Sequence, residues 1–132
     1  MSYVEVHART AFSFLRGAST PEDLVAACAH QDVAAFALCE RNGVYSAVRG
    51  HLAAKEAGLH HIVGAEITLD DGSVVPLLVA TQAGYRNLCR LLTKAKLRSP
   101  KGGCAARWDE LAEHADGLFA LTGDEDGPVR RA

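Results

Sequence analysis

The sequence predicts an α/β fold built on a largely parallel sheet. Three observations carry that expectation: short apolar strand candidates alternate with stretches of helical periodicity, helix-start and helix-stop residues stand where the periodicity changes, and the composition suits a packed core. The 132 residues are 48% hydrophobic and 23% charged, which excludes disorder as the main state and fits one domain.

The first strand is expected at Tyr3 to His7, where Tyr3, Glu5 and His7 share one face and Val4 and Val6 the other. A polar loop follows through Gly17. Thr20-Pro21-Glu22-Asp23 is a helix start: Thr20 can cap, Pro21 suits the first helical position, and the two acids favour the positive end of the helix dipole. That helix should reach His30, with Leu24, Val25, Ala27 and Cys28 facing the core. The unbroken apolar run Ala34 to Cys39 reads as a strand buried on both faces. After the loop Glu40-Arg41-Asn42-Gly43, a second helix should span Val44 to Ala57 and stop at Gly58. A third strand begins at His61 to Glu66. Asp70-Asp71-Gly72 marks a turn, so a β-hairpin extension is expected near residues 67–80. A third helix follows from about Gly84 to Leu97, then a Pro- and Gly-containing loop, a short helix near Trp108 to His114 and a strand at Leu118 to Leu121. His30, His51 and His114 read as surface residues, and Trp108 as a packing residue.

Composition also bounds function. A formal charge of −2 lacks the strong positive field of a stand-alone nucleic-acid binder, so any polyanion contact has to be local. No apolar run approaches the ~18 to 20 residues needed to span a bilayer, and the opening MSYVEVHART has no secretory-signal pattern. A cytoplasmic protein without membrane contact is expected. Cys28, Cys39, Cys89 and Cys104 are dispersed, with no C-x-x-C pair, and read as isolated thiols in preference to zinc ligands or disulfides.

In an α/β sheet, chemistry concentrates at the carboxyl ends of the strands. The first strand delivers His7, Arg9 and, through its loop, Arg16; the second delivers Glu40 and Arg41; the third delivers Glu66. These residues form either a site or a solvated loop rim. A second feature is the acid-free stretch 86–107, in which Arg86, Arg90, Lys94 and Arg98 are spaced by four along one helix face. It reads as a stripe for a DNA backbone or as the solvated outer face of a helix. The acids that follow Trp108 favour the second.

Several segments carry a resemblance. Val6-His7-Ala8-Arg9-Thr10-Ala11-Phe12-Ser13-Phe14-Leu15, Leu38-Cys39-Glu40-Arg41-Asn42-Gly43, Gly64-Ala65-Glu66 and the helix start Gly84-Tyr85-Arg86-Asn87-Leu88 stand in the order and at the intervals of the polymerase and histidinol phosphatase (PHP) family. They look most like the PHP domain at the amino terminus of bacterial DNA polymerase III alpha subunits, error-prone branch. The resemblance implies a (β/α)7 barrel of the TIM-like kind and, in active members, a metal cluster that hydrolyses phosphoesters. Because such a barrel needs roughly twice this length, residues 1–132 are expected to be the amino-terminal portion of one PHP domain, an incomplete barrel without its second half.

The resemblance also implies a degenerate site. His7 and Glu66 match ligand positions, but Arg9 and Arg41 stand where the family carries histidines, and Arg16 where polymerase members often carry an acid. A guanidinium offers five donors and no lone pair for a metal. The expectation is therefore no cofactor and no catalytic residue in this chain, with Arg9, Arg16 and Arg41 pairing Glu40 and Glu66 in the vacated pocket, or binding an anion. Through the parent, the resemblance implies DNA replication, repair and damage-induced translesion synthesis by a nucleotidyltransferase whose magnesium-binding palm lies elsewhere. The remainder of that chain, DNA and other replication or mutasome proteins are its implied partners. A free-standing phosphoesterase using zinc or manganese is the alternative, followed by a small α/β binding module.

Overall fold

Thr20 and Pro21 behave as their chemistry demands: the Thr20 hydroxyl oxygen accepts from the Asp23 N–H at 3.1 Å, and α1 runs Pro21–His30 with proline in its first turn. The computed structural model describes residues 3–132. In chain order it contains β1 (Glu5–Ala8), α1, β2 (Ala35–Arg41), α2 (Ala47–Ala57), β3 (His60–Thr68), β4 (Val74–Val79), α3 (Gln82–Arg98), α4 (Trp108–Glu113), β5 (Leu118–Ala120) and α5 (Pro128–Arg131).

The strands form a five-stranded sheet in sequence order. β1 and β2 are parallel, with Glu5 opposite Phe36, whereas β4 and β5 are antiparallel, with Leu78 opposite Phe119. The link Leu69–Ser73 is too short for a crossover and makes β3 and β4 antiparallel as well. The α/β class and the hairpin extension stand, but the expectation of a largely parallel sheet is corrected to a mixed one. Two helices, α3 and α4, intervene before β5 where one would keep the strands parallel. The hairpin also starts from a strand already under way: His60–Thr68 is continuous.

Contacts group the chain into two compact units, one comprising residues up to Glu40 with Val44–Gly64, the other Arg41–Gly43 with Ala65–Ala132. In the first, Val25 and Cys28 of α1, Val33 before β2, Phe36 and Leu38 of β2 and Ala54 of α2 bury one another. α2 starts at Ala47 and not at Val44, after a turn in which the Ala47 N–H donates to the Val44 carbonyl at 3.1 Å, and the hydroxyl of its N-cap Ser46 donates to Glu40 at 2.9 Å. It ends at Gly58, whose φ of 70° is the left-handed stop that the sequence requires.

His61 is the unexpected member of this unit. Its ring stacks on Phe36 with centroids 5.3 Å apart, and neither ring nitrogen has a hydrogen-bond partner. Burial, helped by His51 and His60, pushes its pKa down from 6.5 to about 4. The folded chain therefore refuses a proton that the unfolded chain accepts below about pH 6.5. Stability complete above that pH is lost as pH falls toward about 4. The midpoint of thermal unfolding should drop across this window, and His61→Phe should remove most of the drop while leaving the neutral-pH melt close to wild type.

In the second unit α3 packs on β4 and β5 through Leu88, Leu91, Leu92 and Ala95. The Thr81 hydroxyl oxygen caps α3 by accepting from the Gly84 N–H at 3.1 Å, so the helix begins before Gly84. Gly84 itself is a packing device: a Cβ there would lie 1.9 Å from the Gly117 carbonyl oxygen. Backbone cannot yield as a side chain can, and Gly84→Ala should cost about 2 kcal/mol, read as a lower urea midpoint with an unchanged slope. α4 runs Trp108–Glu113 and β5 stops at Ala120, each slightly short of expectation. His114 is corrected from surface to buried, its Nδ1 2.7 Å from the Glu110 carbonyl oxygen. The described cysteines are all free thiols.

Candidate functional site

Glu40 and Arg41 are the last two residues of β2, and consecutive strand residues point to opposite faces. Two constellations contain the expected residues, one around Glu40 and one around Glu66.

The first surrounds Glu40, which is fully buried. Its Oε1 accepts from the Thr10 N–H at 3.0 Å, the Thr10 hydroxyl at 2.5 Å and the Ser46 hydroxyl at 2.9 Å, and its Oε2 accepts from the Ser13 hydroxyl. The expectation that arginines pair with Glu40 is thereby corrected: the donors are neutral hydroxyls and a backbone amide. A buried carboxylate is tolerable only when its lone pairs are filled, and these four donors fill them. They also tie the loop after β1 and the start of α2 to the end of β2. In the same unit His7 lies half-buried on β1, where its N–H donates to Glu5 Oε1 at 2.8 Å. Arg9 follows β1 and is half-buried; Arg16 is exposed in the loop and donates its backbone N–H to the Ser13 carbonyl at 2.9 Å.

The second constellation surrounds Glu66, whose side chain has no exposed surface. Arg41 Nε donates to Glu66 Oε2 at 2.6 Å, and Arg41 Nη2 stands 3.8 Å from Asp126 Oδ2. Asn42 explains the register. With φ of 56° it adopts the left-handed conformation that asparagine tolerates. Its N–H donates to the Glu66 carbonyl at 2.7 Å, its Oδ1 accepts from the Thr68 N–H at 2.8 Å, and its Nδ2 donates to Thr68 Oγ1 at 3.0 Å. These bonds clamp the end of β2 to β3 and bring the neighbouring Arg41 onto Glu66. The Asp126 N–H and carbonyl are engaged in turn, with Asp124 Oδ1 and the Val74 N–H, which fixes the third member.

Glu66 and Asp124 offer carboxylate oxygens within 4.8 Å of each other, but Arg41 hydrogen-bonds one of the Glu66 oxygens. A guanidinium, permanently charged and without a lone pair for a metal, holds Oε2 of that carboxylate. No chemical step is routed through a metal here. What the arrangement does is fix a cation between two carboxylates, with a charge-assisted hydrogen bond to the buried one.

The basic stripe lies on α3 as its spacing required, but α4 draws on it. Arg98 donates to both carboxylate oxygens of Glu110, and Lys94 Nζ is 3.6 Å from Glu113 Oε2. Arg98 and the Arg107 N–H together hold the Glu110 carboxyl below its usual pKa. Arg86 and Arg90 remain exposed on the helix.

Thr10, Ser13, Ser46, Asn42 and Asp126 escaped sequence reasoning. Asn42 carried a signal in its Asn-Gly pair, which favours positive φ. Small hydroxyl residues carry none until a buried acceptor is known, and Asp126 belongs to a loop whose placement depends on the sheet.

Known proteins show related folds and sequences. A two-domain protein from Bacteroides vulgatus, described as containing a predicted PHP-like metal-dependent phosphoesterase, matches 96% of this chain and 36% of its own at a TM-score of 0.62 and 14% identity. An amidohydrolase from Chromobacterium violaceum matches 71% of this chain and 33% of its own, at a TM-score of 0.59 and 21% identity. Among curated sequences, the error-prone DNA polymerase of Rhodopirellula baltica is 39% identical over 91% of this chain, and that of Dechloromonas aromatica 44% identical over 83%. The chain spans only 10% and 11% of those two relatives. The five-stranded mixed sheet is accordingly part of a PHP-type barrel. The PHP domain model matches residues 5–132, which takes in every strand and helix described above, and the chain belongs to the PHP domain family.

Proposed function

We propose that this chain is the amino-terminal PHP segment of an error-prone DNA polymerase III alpha-like protein, in which it has a structural and interaction role and not a hydrolytic one. The observation that carries this reading is the Arg41–Glu66 pair: a ligand-type carboxylate is committed to a fixed cation inside a fold whose relatives are polymerases. Residues 1–132 form one portion of a PHP domain, and the parent acts in DNA replication and in repair of damaged DNA by translesion synthesis. Polymerisation itself needs paired carboxylates holding two metal ions against the incoming nucleotide, and those belong to another part of the parent, with magnesium as the metal. His7 and Glu66 are vestiges of a ligand set, and Arg9, Arg16 and Arg41 replace the charge of lost ions. The α3 stripe anchors α4 and leaves DNA contact to other domains. Among the described residues no helix is long and apolar enough to cross a membrane, and a cytoplasmic location suits this reading.

The test is an activity pair on the full-length chain. Primer extension with magnesium should proceed, and Glu66→Gln should leave its chemical rate near wild type. Phosphomonoester and phosphodiester substrates with zinc or manganese should yield no phosphate above buffer. Turnover that disappears in Glu66→Gln would instead support a PHP phosphoesterase.

A further inference from the structure

His61 sits between elements of unequal strength. Its ring stacks on Phe36 of β2 and touches α2, where a Cβ added to Gly50 would lie 3.3 Å from the ring's Cε1 and Nε2. Both ring nitrogens are shielded from water and lack a hydrogen-bond partner. An imidazole so placed is tolerable only while neutral, because an imidazolium brings a charge and two N–H donors to a place that offers no acceptor. The titratable groups that act on it are His51 of α2 and His60 of its own strand, and both oppose a proton; β2 presents Phe36 and Leu38, which carry no charge.

Protonation is therefore answered by movement, and α2 is the element able to move. β2 and β3 are inner strands of the sheet, each paired on both sides. α2 buries only Ala47, Gly50 and Ala54, which remove little apolar area from water. Its N-cap makes no side-chain capping bond, and its first turn has no acid to meet the helix dipole. Its ion pair to α1, Arg49 with Glu22, is exposed on both sides and holds weakly. The movement also has a path outward. The Gly50 N–H donates to the Ser46 carbonyl at 2.8 Å and the Ser46 hydroxyl donates to Glu40 at 2.9 Å, so the turn resting on the His61 ring also supplies one donor of the Glu40 cage. Thr10 and Ser13 hold the same carboxylate from the loop after β1.

We propose that α2 is an acid-opened latch: protonation of His61 lifts the helix from the sheet, draws Ser46 off Glu40 and loosens the loop after β1. The device stands independently of the function proposed above. A ring that binds its proton at about 4 when closed and near 6.5 when open makes opening roughly twentyfold more favourable at pH 5 than at pH 7.

Amide hydrogen exchange of the native full-length chain, corrected for the chemical exchange rate at each pH, tests the proposal. Amides of α2 should exchange faster than those of α3 at both pH values, and their corrected rates should rise roughly twentyfold from pH 7 to pH 5. Ala11, Arg16 and Gly17 of the loop, whose amides bond within it, should rise with them. His61→Phe should abolish both rises, whereas Ser46→Ala should keep the rise in α2 and lose it in the loop. Rates for α2 and α3 that coincide at pH 5 would overturn the proposal, because acid would then unfold the chain as a whole. A rise that survives in His61→Phe would also overturn it, by assigning the proton to another group. A wild-type loop that holds its rate while α2 opens would overturn the link to the cage.

Discussion

Replacing Glu66 by alanine is expected to destabilise the fold by about 3–5 kcal/mol, the usual cost of removing one partner from a buried ion pair. Its side chain has no exposed surface and Arg41 retains only 20%, so water cannot replace the lost carboxylate cheaply. The guanidinium would keep Asp126, but at 3.8 Å in place of a 2.6 Å bond. The loss should be smaller in Arg41→Met with Glu66→Leu, because removing both charges removes the desolvation penalty with them. Urea unfolding followed by circular dichroism measures all three. A double variant as unstable as Glu66→Ala would show that packing, not charge, sets the cost. A chelator should leave the wild-type melting temperature unchanged, since a guanidinium cannot be extracted.

Glu40→Ala is expected to have an effect of similar size, about 3–5 kcal/mol, by a different route. Its removal strands the Thr10 amide and the Thr10, Ser13 and Ser46 hydroxyls around an empty volume. Glu40→Gln should cost less, because one oxygen still accepts and the hydroxyls can rotate to receive the new amide hydrogens. Ser46→Ala should cost only about 1 kcal/mol, as it removes a single bond. Loosening of the loop should accompany instability in Glu40→Ala, seen as faster hydrogen exchange at Ala11, Arg16 and Gly17, whose amides bond within that loop. Exchange unchanged there would mean that the loop is held by something other than the cage.

The elements were legible wherever local chemistry decides them. Thr20-Pro21 fixed the start of α1, Gly58 the end of α2, and the apolar run Ala34–Cys39 a buried strand. The start of α2 was not legible, because a separate turn, Val44 to Ala47, runs directly into it. Strand direction after β4 was missed although both helices before β5 were expected, because helical periodicity does not set the direction in which the chain returns to the sheet. Most instructive is the site. Charge type predicted that an arginine would meet a buried acid, and Arg41 meets Glu66. Charge type also gave Glu40 an arginine partner, and its donors are instead hydroxyls and a backbone amide. His61 shows the remaining limit, since a histidine beside another histidine at a strand entry gives no sign that one of them will stack on Phe36 without a hydrogen-bond partner.

The central claim is that the Glu66 carboxylate is committed to Arg41. Calorimetric titration of zinc and of manganese into the full-length chain, with Glu66→Ala as the reference, tests it most directly. The account predicts that wild type and variant give the same heats, with no stoichiometric binding assignable to Glu66. Stoichiometric metal binding in the wild type that is lost in Glu66→Ala would contradict it.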